Sequence, residues 1–136
     1  MRFHPKNLRL DERGTSKVLG ALEADVMDAV WERAEVSVRD VREALLPRKP
    51  YSFNTIMTIM NRLVEKGLLA KRRSGNAYAY RAKVEKEDFC RDVTRSVVNA
   101  LVSDGKFFQV NAFAEALQEC SEGDLAELRR ILNSEE

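Results

Sequence analysis

YSFNTIMTIMNRLVEKGLLAKRRSGNAYAY, residues 51–80, carries two different periodicities joined by a single glycine. In the first half, apolar residues recur at helical spacing. At about 100° per residue, Ile56, Ile59, Met60, Leu63 and Val64 share one face, and Asn54, Thr55, Thr58, Asn61 and Arg62 fall on the other. The apolar face requires a core, so the short hydroxyls, the amides and the guanidinium point outward. Such groups suit base edges and phosphates, although an ordinary solvated helix face can have the same make-up. Gly67 stands just past the last periodic residues, where a left-handed C-cap is wanted. Beyond it, Leu68 to Arg73 and Ala77 to Arg81 read as two short strands, with Ser74, Gly75 and Asn76 supplying the turn. Lys71, Arg72 and Arg73 run into that turn, and Tyr78 and Tyr80 alternate on the return strand. A hairpin with cations near its tip and aromatics along one side can rest on a phosphate backbone. The competing reading is an edge hairpin whose charges block sheet-to-sheet association. Its position directly after a helix with this outward face favours a DNA-reading wing.

Upstream, the spacing predicts the elements that such a wing needs. A first helix over about residues 19–33 places Leu22, Val26, Met27, Val30 and Trp31 on a core face. Residues 36–38 suit a short strand. Ser37 followed by Asp40 is a capping-box start for a second helix reaching Leu46, with Val38, Val41 and Leu45 inward. Pro47 and Pro50 bracket a basic loop, Arg48 and Lys49, that leads to Ser52 as N-cap of the third helix. Helix, short strand, helix, helix and two-stranded wing is the winged helix-turn-helix order, in which the third helix enters the major groove. Residues 1–18 read as a loose basic arm with Arg2, Lys6, Arg9, Arg13 and Lys17, and with Phe3, Leu8 and Leu10 as docking points. The favoured reading of this arm is a disordered tail; the alternative is that its arginines reach a minor groove.

Charge divides the chain more sharply than composition does. The 136 residues carry a formal net charge of only +1. Residues 1–83 hold 17 Lys/Arg against 10 Asp/Glu, whereas residues 84–136 hold 6 against 12. A basic front and an acidic rear imply one region that approaches a polyanion and another with a separate task.

From residue 84 the pattern becomes three amphipathic helices. Phe89, Cys90, Val93, Val97, Ala100 and Leu101 form one stripe, and Phe107, Val110, Phe113, Ala114 and Leu117 a second. Ser121 with Asp124 caps a third stripe of Leu125, Leu128, Ile131 and Leu132. About fifty residues cannot bury three apolar faces unaided. Packing against the same helices of a second chain solves this and supplies two DNA-reading units for a palindromic site. Phe89, Val93, Val97, Leu101, Phe113, Leu117, Leu125, Leu128 and Leu132 are therefore the expected dimerisation residues; an intramolecular bundle is the other solution. The chain divides into a basic arm (1–18), a winged-helix domain (19–83) and a helical dimerisation region (84–136). The fold class is mainly α with a small antiparallel sheet.

These segments together have a specific likeness. LGALEADVMDAVWE, SVRDVREAL, FNTIMTIMNRLVEKGLLAKRRSGNAYAY and LAELRRILN resemble the penicillinase and methicillin-resistance repressors, the BlaI/MecI/CopY-type family of winged-helix transcriptional regulators, over residues 19–133. The resemblance implies a dimeric repressor on an inverted-repeat operator. By position it implies that Ser52, Asn54, Thr55, Thr58 and Arg62 face the groove and that Arg73, Asn76 and Tyr78 belong to the wing. In the antibiotic-responsive members of that family, a signalling metalloprotease cuts an Asn-Phe bond in the C-terminal helices. That position falls on Phe113-Ala114 here, with Asn111 nearby, so the resemblance carries no such cleavage site. The Cys-x-Cys pair of copper-responsive relatives is also missing.

Other classes find little material. The one histidine is His4, in the arm, and neither a P-loop nor GxGxxG occurs. No enzyme activity, metal or cofactor is expected. Cys90 and Cys120 lie on apolar stripes, where a small buried hydrophobe is expected, with a redox pair across a dimer as the alternative. No stretch approaches the ~18 apolar residues of a membrane span, and the N-terminus lacks a signal-peptide apolar run, so the expectation is a cytoplasmic protein. A winged helix can also serve protein–protein assembly, which remains the alternative to specific DNA binding.

Overall fold

The computed structural model describes residue 3 and residues 5–134, leaving Arg2 and His4 of the expected arm outside the described residues. After a 3-10 turn at Gly14–Lys17, the order is α1 (Ala21–Trp31), α2 (Val38–Leu45), α3 (Phe53–Glu65), β1 (Leu69–Ser74), β2 (Ala77–Ala82), α4 (Lys86–Ser103), α5 (Val110–Leu117) and α6 (Glu122–Asn133). The chain separates into two compact units, Met1–Val97 and Val98–Glu136, with α4 running from one into the other.

In the first unit, α1, α2 and α3 pack on one another and on the hairpin. Val26, Met27, Val30, Val41, Ile56, Met60 and Leu63 are fully closed off from solvent, joined by Leu19, Leu68, Leu69, Tyr80 and Phe89. Of the five residues expected on the apolar face of α3, Ile56, Met60 and Leu63 are buried, and Ile59 and Val64 are half-buried at the edge of this core. Helix ends follow the local chemistry. Ser37 Oγ accepts the Asp40 N–H while the Asp40 carboxylate accepts the Ser37 N–H, which completes the capping box of α2. Ser52 Oγ likewise accepts the Thr55 N–H at the start of α3. Gly67, at φ +81°, ends α3 in a Schellman motif: its N–H bonds to Val64 O, and the Leu68 N–H reaches back to Leu63 O. A side chain at that φ would be strained. The motif turns the chain directly into β1.

The two strands are antiparallel with Ser74 opposite Ala77, so only Gly75 and Asn76 form the loop. Gly75 alone takes a positive φ, +66°, as the first position of a type II′ turn requires. The short strand expected at residues 36–38 is reduced to one bridge, in which Val36 and Tyr80 exchange both backbone hydrogen bonds. The reason is that Ser37 is already needed as the α2 N-cap.

Four sequence expectations change. The arm is not loose over its described length. The Arg9 N–H bonds to Lys17 O, and the Arg9 guanidinium donates to Ser16 O and Leu19 O. The Lys17 ammonium donates to Leu10 O and Glu12 O. Two expected nucleic-acid cations are thus spent on the carbonyls of a turn. Phe3 docks, its ring 4.9 Å from that of Phe89, whereas Leu8 and Leu10 stay exposed. Phe89, expected at a dimer contact, is 1% exposed and lies between Phe3 and Trp31, so its surface is used within the chain. Its stripe position said only that it must be buried, not against what. The packing therefore divides the chain at Val97, beyond residue 83, and takes in the arm. Cys90 and Cys120 are both exposed free thiols, not buried hydrophobes; Cys120 lies past the end of α5, on no helix face.

The buried Glu23 ties α1 to α3. It accepts the Gly20 N–H and pairs with Lys66 at 2.8 Å. Burial pushes its carboxyl up, but the Lys66 hydrogen bond, the Gly20 N–H and the fields of Lys66 and Arg62 outweigh that and hold it below the usual range.

In the second unit none of residues 98–134 is buried. Phe107, Val110 and Leu132 are 66%, 65% and 68% exposed, while Leu101, Leu117, Leu125 and Leu128 are half-buried and Phe113 is 39% exposed. Phe108 and Phe113 stack with ring centroids 5.6 Å apart. Ser121 caps α6 by accepting the Asp124 N–H. No helix among the described residues is long and apolar enough to cross a membrane.

Candidate nucleic-acid interface

Because Ile56, Met60 and Leu63 are buried, α3 presents its opposite face to solvent. Ser52, Asn54, Thr55, Thr58 and Arg62 are exposed there, and Asn61 is half-buried at the edge. These residues are not equivalent. Ser52 Oγ and Thr55 Oγ1 are 2.8 Å apart and hydrogen-bonded, so those two hydroxyls partly satisfy each other. The Asn54 and Thr58 side chains make no hydrogen bond to a described residue and keep their full capacity.

The basic loop before α3 is braced from α2. Arg42 Nε donates to Tyr51 O at 2.9 Å, and the Lys49 ammonium lies over the Tyr51 ring, 5.5 Å from its centroid. Arg48 pairs with Asp25 at 2.5 Å. Arg42 fixes the entry to α3 through a backbone carbonyl. Its contribution was missed in the sequence because nothing local marks a bond from residue 42 to residue 51.

The strand register splits the wing cations between two faces. Lys71 lies opposite Tyr80 and Arg73 opposite Tyr78, so these four share one face. The Lys71 ammonium sits 4.7 Å from the Tyr78 ring centroid and donates to Asn61 Oδ1 at 3.1 Å, which places this face beside α3. Tyr80 is buried, and its hydroxyl also donates to Asn61 Oδ1, at 2.9 Å. Arg72 points to the other face and makes a two-pronged pair with Glu35, at 2.9 and 2.5 Å. The Arg72 hydrogen bond holds the Glu35 carboxyl below its usual range, against slight desolvation, and Arg81 adds to the effect. Grouping Arg72 with Lys71 and Arg73 as one basic run therefore needs correction: strand alternation turns it away, and Glu35 neutralises it. Arg73 Nε bonds to Gly75 O at the tip, where Asn76 is exposed.

What this surface offers is one helix face of short polar groups flanked by two unneutralised wing cations and a stacked tyrosine. This arrangement can contact phosphates at its edges and base edges at its centre. Of the expected dimerisation residues, Phe89 lies in the first core and Val93 packs against that core, and the others are on α4, α5 and α6.

This chain is similar to several known proteins. Residues 19–134 match the family described as Penicillinase repressor. The methicillin resistance regulatory protein MecI of Staphylococcus aureus (strain N315) is 27% identical over 115 residues, which is 85% of this chain and 93% of MecI. The transcriptional regulator BlaI of Mycobacterium tuberculosis (strain CDC 1551 / Oshkosh) is 43% identical over 63 residues, 46% of each chain. Among solved structures, the DNA binding domain of the repressor BlaI aligns with a TM-score of 0.46 and 26% identity, over 52% of this chain and 85% of that one. With its arm outside the matched segment and its winged-helix and C-terminal helices within it, the chain belongs to the penicillinase repressor family.

Proposed function

We propose that this protein is a DNA-binding transcriptional repressor that acts as a homodimer on an inverted-repeat operator. The observation that carries the reading is the juxtaposition of the outward polar face of α3 with Lys71, Arg73 and Tyr78 of the wing, on a chain of the penicillinase repressor family. Asn54 and Thr58 read base edges, with Ser52 and Thr55 setting the first turn of α3 at the groove wall. Arg62, Lys71, Arg73 and the turn residue Asn76 hold phosphates on either side. Repression follows from occlusion of a promoter. The relatives named above, a resistance regulatory protein and a transcriptional regulator, support this class of function.

The dimer is inferred from the second unit. It leaves Phe107, Val110 and Leu132 about two-thirds exposed and Ile131 46% exposed, an apolar content that a second copy would cover. Two copies would set two α3 helices about one DNA turn apart. The test is selection from a random-sequence duplex pool at two salt concentrations. An enriched inverted repeat whose affinity falls as salt rises is the expected result. No enrichment and no salt-dependent binding would overturn the reading in favour of a protein-interaction role for the winged helix.

A further inference from the structure

Asn61 lies on the outward side of α3, yet its carboxamide oxygen is already occupied. It accepts one hydrogen bond from the Tyr80 hydroxyl at 2.9 Å and one from the Lys71 ammonium at 3.1 Å. The Lys71 ammonium can only donate, which fixes the amide with its oxygen toward the wing and its NH2 away from it. Bidentate recognition of adenine by asparagine needs that oxygen as an acceptor. Here its two lone pairs are committed. What remains free is donor capacity: two N–H groups on Asn61, and at least one on Lys71 beyond its bond to Asn61 and its contact with the Tyr78 ring. A group that only donates, beside an ammonium, selects an anionic acceptor.

We propose that Asn61 and Lys71 form a prebuilt seat for a backbone phosphate at the joint between α3 and the wing, and that Tyr80 is the positioning residue beneath it. The proposal rests on the DNA-binding reading and assigns Asn61 to phosphate rather than to a base. Tyr80 can act in this way because it is fixed twice. Its ring is 1% exposed in the core, and its backbone exchanges two hydrogen bonds with Val36. Burial raises the phenol above its usual range, as does the neighbouring Tyr78, so the hydroxyl keeps its proton and donates at neutral pH. Lys71 would otherwise lose several rotamers on binding; held between Asn61 and Tyr78, it has lost them beforehand.

The test measures the full chain against the duplex enriched from the random pool and against a scrambled duplex of equal length, across a salt series. In Asn61→Asp the carboxylate retains both inward acceptor roles, so the fold is kept, but the outward donors vanish and the Lys71 charge is neutralised. Affinity should drop about tenfold for both duplexes, with their ratio unchanged, and the slope of log affinity against log salt should shrink by about one. Lys71→Gln, at an exposed strand position, should give the same pattern. Tyr80→Phe should weaken both duplexes alike by several-fold with the salt slope retained. A fall in the enriched-to-scrambled ratio for Asn61→Asp would mean that Asn61 reads a base, and would overturn the seat. Unchanged affinities in Asn61→Asp or Tyr80→Phe would overturn it as well. Wild-type protein that binds neither duplex in a salt-dependent way would instead refute the DNA-binding reading, and the seat with it.

Discussion

In the first unit Val26, Met27, Ile56 and Met60 are wholly withdrawn from solvent. In the second, Phe107, Val110 and Leu132 keep about two-thirds of their surface exposed. The side chains are of the same kind, and both sets recur at helical spacing. The difference lies in what each helix meets. α1, α2 and α3 contact one another and the hairpin, so each apolar stripe finds a facing one. α5 and α6, though no shorter than α2, bury no residue, as expected of a unit too small to enclose a core of its own. One region carries its stability within the chain, and the other would draw it from the dimer proposed above.

The comparison can be broken at its strongest point by Phe89→Ala. If Phe89 belongs to the first core, its removal from between Phe3 and Trp31 should cost about 3–5 kcal/mol in denaturant unfolding, whatever the protein concentration. A cost that appeared only at concentrations where chains associate would return Phe89 to a dimer contact. Next in size, Leu128→Asp in α6 should leave the first unit's unfolding midpoint unchanged. It should convert the protein to a monomer in sedimentation and weaken operator binding about a hundredfold; a variant that stays dimeric would place the interface elsewhere.

Within the first unit, Lys66→Met should cost about 1–3 kcal/mol by leaving the buried Glu23 carboxylate short of a partner. The same variant sharpens a pH dependence. The folded state holds the Glu23 carboxyl below its ordinary value, so the native state favours the ionised form. Its stabilisation is complete above the unfolded-chain pKa and fades as pH falls through the lower folded one. Wild type should therefore lose stability on that acid limb, and Lys66→Met should show a flatter one in thermal melts taken from neutral pH downward. The smallest effect is expected from Glu127→Ala on α6. Its partner Arg130 is one turn away and both are well exposed, so the melting midpoint should not move. A measurable shift would mean that the pair lies inside an interface.

Much of the fold was legible because it rests on short-range chemistry. Ser37 with Asp40, Ser52 before α3, Gly67 after it and the Gly75-Asn76 loop each depend on residues at most a few positions apart. The outward face of α3 followed from periodicity in the same way. What escaped reading were bonds that bridge elements: Trp31 Nε1 to Val84 O, Arg72 to Glu35, Tyr80 to Asn61. Strand alternation alone would have parted Arg72 from Lys71 and Arg73, a signal present in the sequence and outweighed by their adjacency. The arm misled for a different reason. Arginine and lysine beside glycine and serine look like a solvated tail until their donors are matched to carbonyls, and Arg9 meets Leu19 only once the turn at Gly14–Lys17 has formed.

Trp31 is the chain's one tryptophan, and its three tyrosines, Tyr51, Tyr78 and Tyr80, also precede Val97. The indole donates to Val84 O at 2.9 Å, and its ring lies 5.5 Å from that of Phe89. The molecule thus contains its own optical label for one half only. Indole emission during unfolding reports the winged-helix unit, whereas far-ultraviolet dichroism sums the helices of both. Recorded on one sample, the two signals would separate the melting of the DNA-reading half from the parting of the C-terminal helices without any added dye or fragment.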